Sequence, residues 1–267
     1  MSFLDAPPQN ASKTPSTVRY VDTASAYDLW SEVYDTDGNF LQALDTIEMK
    51  TLLPNFLGQI RSPKPWKIVD LGCGTGRNTL SLLRISDANI VGLELSSKML
   101  EVARSRVDQE LEQIDDLVEA RGINLELFDM IHQPHPPDHA TKADAIISTL
   151  VLEHIPVDIF FSTASQILKT DGVLLITNMH SEMGNISQAG FVHPESGEKI
   201  RPKSYAHSVE NVVTAATKQG FELEGDALER DVDEASSSAL GGRAKKWIGV
   251  MVWYGMVFRK VKEGPSG

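Results

Sequence analysis

The sequence predicts an α/β domain with a parallel central sheet and helices on both faces, and three observations carry that reading. From Trp66 onward, short apolar runs of strand length alternate with helical patterns. Each of the first five runs finishes on a polar residue, at Asp70, Glu94, Asp129, Ser148 and Asn178. The first run opens into a glycine turn, Gly72-x-Gly74-x-Gly76. In a parallel sheet those polar ends share one rim, and open α/β sheets bind ligands outside that rim.

The expected strands are Trp66–Leu71, Asn89–Leu93, Leu125–Phe128, Asp144–Ile147 and Gly172–Thr177, followed by Phe221–Leu228 and Trp247–Phe258. Their β-branched, nearly continuous apolar character suits strands buried on both faces. Between them, Ser96–Glu119 places Leu100, Ala103, Val107, Leu111, Ile114 and Val118 on one helical stripe. A second helix is expected from Asp158 to Lys169, and a third capped by Ser208 and ending at Gly220. Before the sheet, Ala24–Leu57 reads as two helical segments, the first carrying Tyr27, Trp30 and Tyr34.

The expected organisation is one domain over residues 18–260, with tails at 1–17 and 261–267. Residues 18–62 form a helical cap, and 178–207 and 231–246 are long stretches on the ligand rim, where loops beyond packing needs serve function. With 41% apolar and 23% charged residues, the 267-residue chain can bury a core unaided. A net charge of −12 opposes unaided binding to nucleic acid or to an anionic membrane. The short candidates for a local basic patch are Arg201/Lys203 and Arg243/Lys245/Lys246. One cysteine, Cys73, rules out an internal disulfide and fits a reducing compartment, so the expected location is the cytoplasm. No apolar stretch approaches the roughly 20 residues of a membrane span.

Glycines in the first turn let the backbone bend tightly and let a ligand approach without a Cβ in the way. A dinucleotide fingerprint would need glycine at position 77, where this chain has Arg77. The second strand closes on Glu94, where a carboxylate can accept both ribose hydroxyls, and the third on Asp129, where one can receive an adenine amino group. Taken singly, Asp70 is a turn cap, Glu94 a cap for the helix near Ser96, and Asp129 a loop residue. Taken together in this order they form a cofactor site.

Five segments, 68–80, 91–102, 128–130, 145–156 and 171–178, resemble the successive motifs of class I S-adenosylmethionine (SAM)-dependent methyltransferases. Asp-Leu-Gly-Cys-Gly-Thr-Gly, Gly-Leu-Glu-Leu-Ser and Leu-Glu-His-Ile are most similar to the ubiquinone/menaquinone-biosynthesis type. The resemblance implies a Rossmann-like seven-stranded sheet of order 3-2-1-4-5-7-6 with the last strand antiparallel. It implies SAM as cofactor and S-adenosylhomocysteine as product. It places Asp70, Gly72, Cys73 and Gly74 at the methionine portion, Glu94 at the ribose, and Asp129 with Met130 at the adenine. Leu95, Met99, Ser148 and Tyr34 complete the expected cofactor set.

No base-methylating Asn/Asp-Pro-Pro-Tyr/Phe motif follows the fourth strand, and only Glu153 stands where arginine methyltransferases carry two glutamates. The expected acceptor is therefore a small molecule methylated on O, N or S. A looser resemblance to fungal secondary-metabolite methyltransferases rests on the N-terminal Tyr-Asp-x-Trp-Ser-x-x-Tyr-Asp and on residues 190–205. His154 and His180 are candidate general bases. Tyr27, Trp30, His154, His180 and Phe191 are candidate acceptor contacts, although the aromatics also read as plain packing on the sheet. Glu153 and His154 lack further ligands for a metal, so none is expected. The alternatives are an NAD(P)-dependent oxidoreductase, and a SAM-binding regulator or macromolecule methyltransferase. The oligomeric state is left open.

Overall fold

The computed structural model describes residues 17–113, 122–262 and 264. The stretch expected as a tail before Thr17, and the end of the long helix with Ile114 and Val118, lie outside them. In chain order the elements are β1 (Val18–Tyr20), α1 (Thr23–Trp30), α2 (Phe40–Leu57), β2 (Trp66–Leu71), α3 (Arg77–Leu82), β3 (Ala88–Glu94), α4 (Ser97–Gln113) and β4 (Ile123–Leu127). Then come β5 (Ala143–Thr149), α5 (Val157–Ile167), β6 (Leu168–Met179), α6 (Ser181–Ile186), β7 (Phe191–Val192) and β8 (Lys199–Arg201). The last are α7 (Val209–Lys218), β9 (Phe221–Leu223), β10 (Leu228–Asp231), α8 (Glu234–Leu240) and β11 (Met251–Lys260).

The central sheet runs β10-β11-β6-β5-β2-β3-β4, with β9 also on β11. Strands β2 to β6 are mutually parallel, and β11 is antiparallel to β6, β9 and β10. Numbered as seven strands, with β9 and β10 together sixth, the order is 3-2-1-4-5-7-6. The single strand expected over Phe221–Leu228 is two, because Gly225, at φ 80°, turns the chain between them.

Side chains alternate across the sheet with the period of two that strands impose. Val69, Leu71, Ile146, Leu174 and Ile176 face one core, with Phe160 and Phe161 of α5 and Ala216 of α7. Ile68, Ala145, Ile147, Val173 and Leu175 face the other, with Phe56 of α2, Leu82 of α3 and Val107 of α4. Ser208 caps α7, accepting from Asn211 N at 3.2 Å, as its position before the apolar run predicts.

A second, three-stranded sheet was not foreseen. β1 pairs parallel with β8, and β8 antiparallel with β7, so the insertion after β6 holds the N-terminal segment. Beneath it Phe191 and Ile200 pack with Ala26, Trp30 and Met99 in a small core of their own. Helix α1 ends at Trp30, so Tyr34 stands in the turns beyond it and not on the same helix.

Candidate active site

The N-terminal cap is fastened to the sheet by two aspartates. Asp28 of α1 accepts from Ser96 Oγ at 2.6 Å and Lys98 N at 3.1 Å, so it satisfies one of the free amides at the start of α4. Asp35 accepts from Thr75 Oγ1 at 3.2 Å and pairs with Arg106 at 3.1 Å, tying the cap to the glycine turn. Beneath this lies buried Asp45, which takes Arg77 at 2.5 Å, Thr177 Oγ1 at 2.5 Å and Trp253 Nε1 at 3.0 Å. Arg77, the residue that breaks the dinucleotide fingerprint, is thus the cation that compensates a buried carboxylate.

Under the cap, at the C-terminal ends of β2, β3 and β5, lies a cleft of about 740 Å³. Of the residues expected at the cofactor, Gly72, Gly74, Glu94, Leu95, Asp129, Met130 and Tyr34 line it, together with Tyr27 and His154, which were expected at the acceptor. Glu94 is held by two amides, Oε2 accepting from Gly74 N at 2.9 Å and Oε1 from Ser96 N at 2.8 Å. Burial still pushes its pKa upward against those bonds. Asp129 is turned toward its own loop, accepting from Ile131 N at 2.9 Å and from His132. Burial raises its pKa, and the bonds from His132 and the Ile131 amide outweigh that and leave it lowered.

Other expected cofactor contacts stand behind the wall. Asp70 accepts from Thr79 Oγ1 at 2.6 Å, and burial pushes its pKa up to about 6. Cys73 is buried below the turn, close under Gly92, and burial raises its thiol pKa. Ser148 does not reach the cleft: its hydroxyl donates to Leu71 O at 2.7 Å, and the next residue, Thr149, faces the cavity. Met99 is fully buried under α1. The sequence also missed Thr23, Leu150, Val151 and Ile155 in this wall; the motif ending in Leu-Glu-His-Ile was a signal for the last three, and Thr23 had none.

A second cleft, also of about 740 Å³, adjoins the first and shares Tyr27, Tyr34 and Leu150 with it. Trp30, Phe40, Leu41, Met179 and Met183 give it apolar walls, and both long rim stretches contribute, through Ser187–Gly190 and Arg243–Trp247. Leu150, in the common wall, holds φ 57°, a left-handed conformation costly for a branched residue and characteristic of functional sites.

The Glu153–His154 pair divides between the clefts, Glu153 facing the second and His154 the first. His154 Nδ1 lies 2.8 Å from Lys203 O, so that nitrogen carries the hydrogen, and Nε2 accepts from the Tyr27 hydroxyl at 2.8 Å. Burial drives its pKa down to about 4. With both nitrogens engaged it is a neutral support for Tyr27, which corrects its expectation as a free base. Glu153 differs: its Oε2 is buried without a partner, and burial pushes its pKa up to about 7.

His180 and Phe191 reach neither cleft. His180 caps α6 through Nδ1, and its Nε2 donates to Glu229 at 2.9 Å. Phe191 is buried, stacked on Trp30 with centroids 5.0 Å apart, so its role is to hold the cap. Among the described residues no group of three or more His, Cys, Asp or Glu is placed to hold a metal.

Fold and site together define an α/β enzyme with a nucleotide-cofactor cleft. Its residues fit an adenosyl cofactor: a Cβ on Gly74 would meet nothing within 4 Å, so the turn faces open space beside the Glu94 carboxylate. A methyltransferase-domain family model matches residues 69–176. An uncharacterised methyltransferase of Emericella nidulans is 48% identical over 263 residues, covering 90% of this chain and 91% of that one. The ubiquinone biosynthesis O-methyltransferase of Pelagibacter ubique is 26% identical over 57% of this chain and 61% of its own. A SAM-dependent methyltransferase from Mesorhizobium loti shares the fold at TM-score 0.54 and 22% identity, over 77% of this chain and 96% of that one. The chain belongs to the class I SAM-dependent methyltransferases, and SAM is its cofactor.

Proposed function

We propose that the protein methylates an O, N or S atom of a small molecule held in the second cleft, and that Glu153 receives the nucleophile's proton. The observation that carries this is the pair of clefts meeting at Tyr27, Tyr34 and Leu150, with a buried, incompletely paired carboxyl in the wall of the second. SAM supplies an electrophilic methyl group on a sulfonium. Glu94, Leu95, Gly72 and Gly74, with Asp129 and Met130 at the adenine end, would hold it.

The chain's own part is alignment, exclusion of water and proton removal. Tyr27 and Tyr34, both in the cap, sit 5.9 Å apart, centroid to centroid, between the clefts. A carboxyl with a pKa near 7 takes a proton readily at neutral pH, whereas a histidine at about 4 with its lone pair engaged does not. The ubiquinone relative, named for biosynthesis of a small molecule, supports a small acceptor. The acidic chain with one cysteine supports a cytoplasmic setting, and the fungal relative keeps secondary metabolism within the reading. Residues 18–260 then act as one domain, with α1 and the turns after it as its cap and α2, expected in the cap, packed on the sheet instead through Met49, Leu53 and Phe56.

Incubation with SAM and fractionated metabolites, followed by mass spectrometry, tests this. A product heavier by one methyl group is expected, together with S-adenosylhomocysteine. Preference for NADH over S-adenosylhomocysteine in a binding titration would end the reading.

A further inference from the structure

The second cleft carries positive charge beside its apolar walls. Lys199 of β8, Arg243 and Lys246 all line it, in a chain whose net charge is −12. Two of them come from the basic run at 243–246, and the third from a strand more than forty residues earlier. The fold has gathered them around one cavity.

Their pairing is incomplete. Lys199 has no hydrogen bond or ion pair with a carboxylate among the described residues. Its pKa is lowered by burial first and then by Arg201, Lys246 and Arg243, the mark of cations crowded without a counter-charge. Lys246 lies over the Trp247 ring at 5.1 Å. Arg243 donates to Asp37 O at 2.9 Å and approaches the Asp37 carboxylate at 3.6 Å. That carboxylate is already shared, since Trp30 Nε1 donates to it at 3.0 Å and Asn39 N at 2.9 Å.

A second observation points to a ligand. Trp247 is 4% exposed and its indole N–H has no acceptor. A buried donor without a partner costs free energy unless something supplies one. The remaining acid in the wall, Glu153, has a pKa near 7 and is only partly ionised at neutral pH, so it offsets little of this charge.

We infer that the acceptor is an anion, a small and mostly apolar molecule with a carboxylate or phosphate group bound by Lys199, Arg243 and Lys246. The apolar body would lie along Phe40, Leu41, Met179 and Leu150, with its reacting atom toward Glu153. This rests on the reading of the second cleft as the acceptor site.

The test uses three shape-matched probes, 1-naphthoate, 1-naphthyl phosphate and the neutral 1-naphthamide. Each is titrated into the full chain saturated with S-adenosylhomocysteine, and quenching of tryptophan fluorescence is followed. At least one anion should bind roughly tenfold or more tightly than the amide, the value of a charge-assisted contact, and the tighter anion identifies the group. Lys199→Met and, separately, Arg243→Gln should each remove most of that preference. An amide that binds as well as both anions, no binding of either anion, or a preference intact in both variants overturns the inference. The affinity of each sample for S-adenosylhomocysteine is measured alongside. Its absence in the unaltered protein would count against the methyltransferase reading, whereas normal cofactor binding without anion preference would count against this inference alone.

Discussion

The two clefts are of similar size and share a wall, yet their glutamates are treated oppositely. Glu94, on the cofactor side, has each oxygen fixed by a backbone amide, at 2.9 and 2.8 Å. Glu153, on the acceptor side, is as deeply buried and has an oxygen with no partner at all. A carboxylate clamped by amides is a fixed acceptor with its geometry set in advance. One left unsatisfied keeps its proton to a higher pH and is free to exchange it. Similar burial of the same side chain thus suits one glutamate to holding a ligand and the other to exchanging a proton.

The sharpest way to break that contrast is Glu153→Gln. Loss of the proton acceptor should lower kcat/KM by about 10²–10⁴-fold, with affinity for S-adenosylhomocysteine within a few-fold of the original. In the unaltered protein kcat/KM should rise with pH through about 7, and the variant should lose that limb. Stability moves the other way. With a folded pKa of about 7 against an ordinary 4.5, Glu153 keeps the native state more protonated than the unfolded chain across that window. Stability therefore falls as pH rises from 4.5 to 7, and chemical denaturation of Glu153→Gln should show a flatter dependence. An unchanged pH profile would remove Glu153 from the chemistry.

Glu94→Ala should act on the other side, weakening S-adenosylhomocysteine binding by roughly 10–100-fold, about 1.5–3 kcal/mol for hydrogen bonds to a charged group, measurable by calorimetry. Next comes Gly72→Ala. Its Cβ would fall 2.3 Å from Val151 Cγ2 at φ 79°, and overpacking of this kind costs about 1–3 kcal/mol, read as a lower Tm. Tyr27→Phe should be mildest. Removing the hydroxyl that donates to His154 costs about 0.5–1.5 kcal/mol of stability.

The same division explains what the sequence disclosed. The cofactor side is built from strand ends and the turns that follow them, so Gly72, Gly74, Glu94 and Asp129, which line the first cleft, stand out in the sequence through spacing, order along the rim and family resemblance together. The error at Ser148 is one of phase: successive residues of β5 point to opposite faces, and Thr149 takes the cavity side. The sequence assigns Met99 to the cofactor and Phe191 to the acceptor, and only packing under α1 shows that both instead support the cap. The acceptor side is made by segments far apart in the chain. β1 and β8 are three residues each and leave no periodic signal, so nothing in the sequence announces that Lys199 will meet Arg243 and Lys246. Glu153 was visible, but its unpaired oxygen is a property of its surroundings.

Leu150, held at φ 57° in the wall common to both cavities, has a thermodynamic consequence. A ligand that displaced that backbone from one side would alter the surface offered on the other, and the two binding equilibria would then be linked through it. Linkage is reciprocal: whatever factor the cofactor contributes to acceptor affinity, the acceptor returns to the cofactor. Any such coupling would run through one strained backbone position and the two tyrosines beside it, the residues common to both walls.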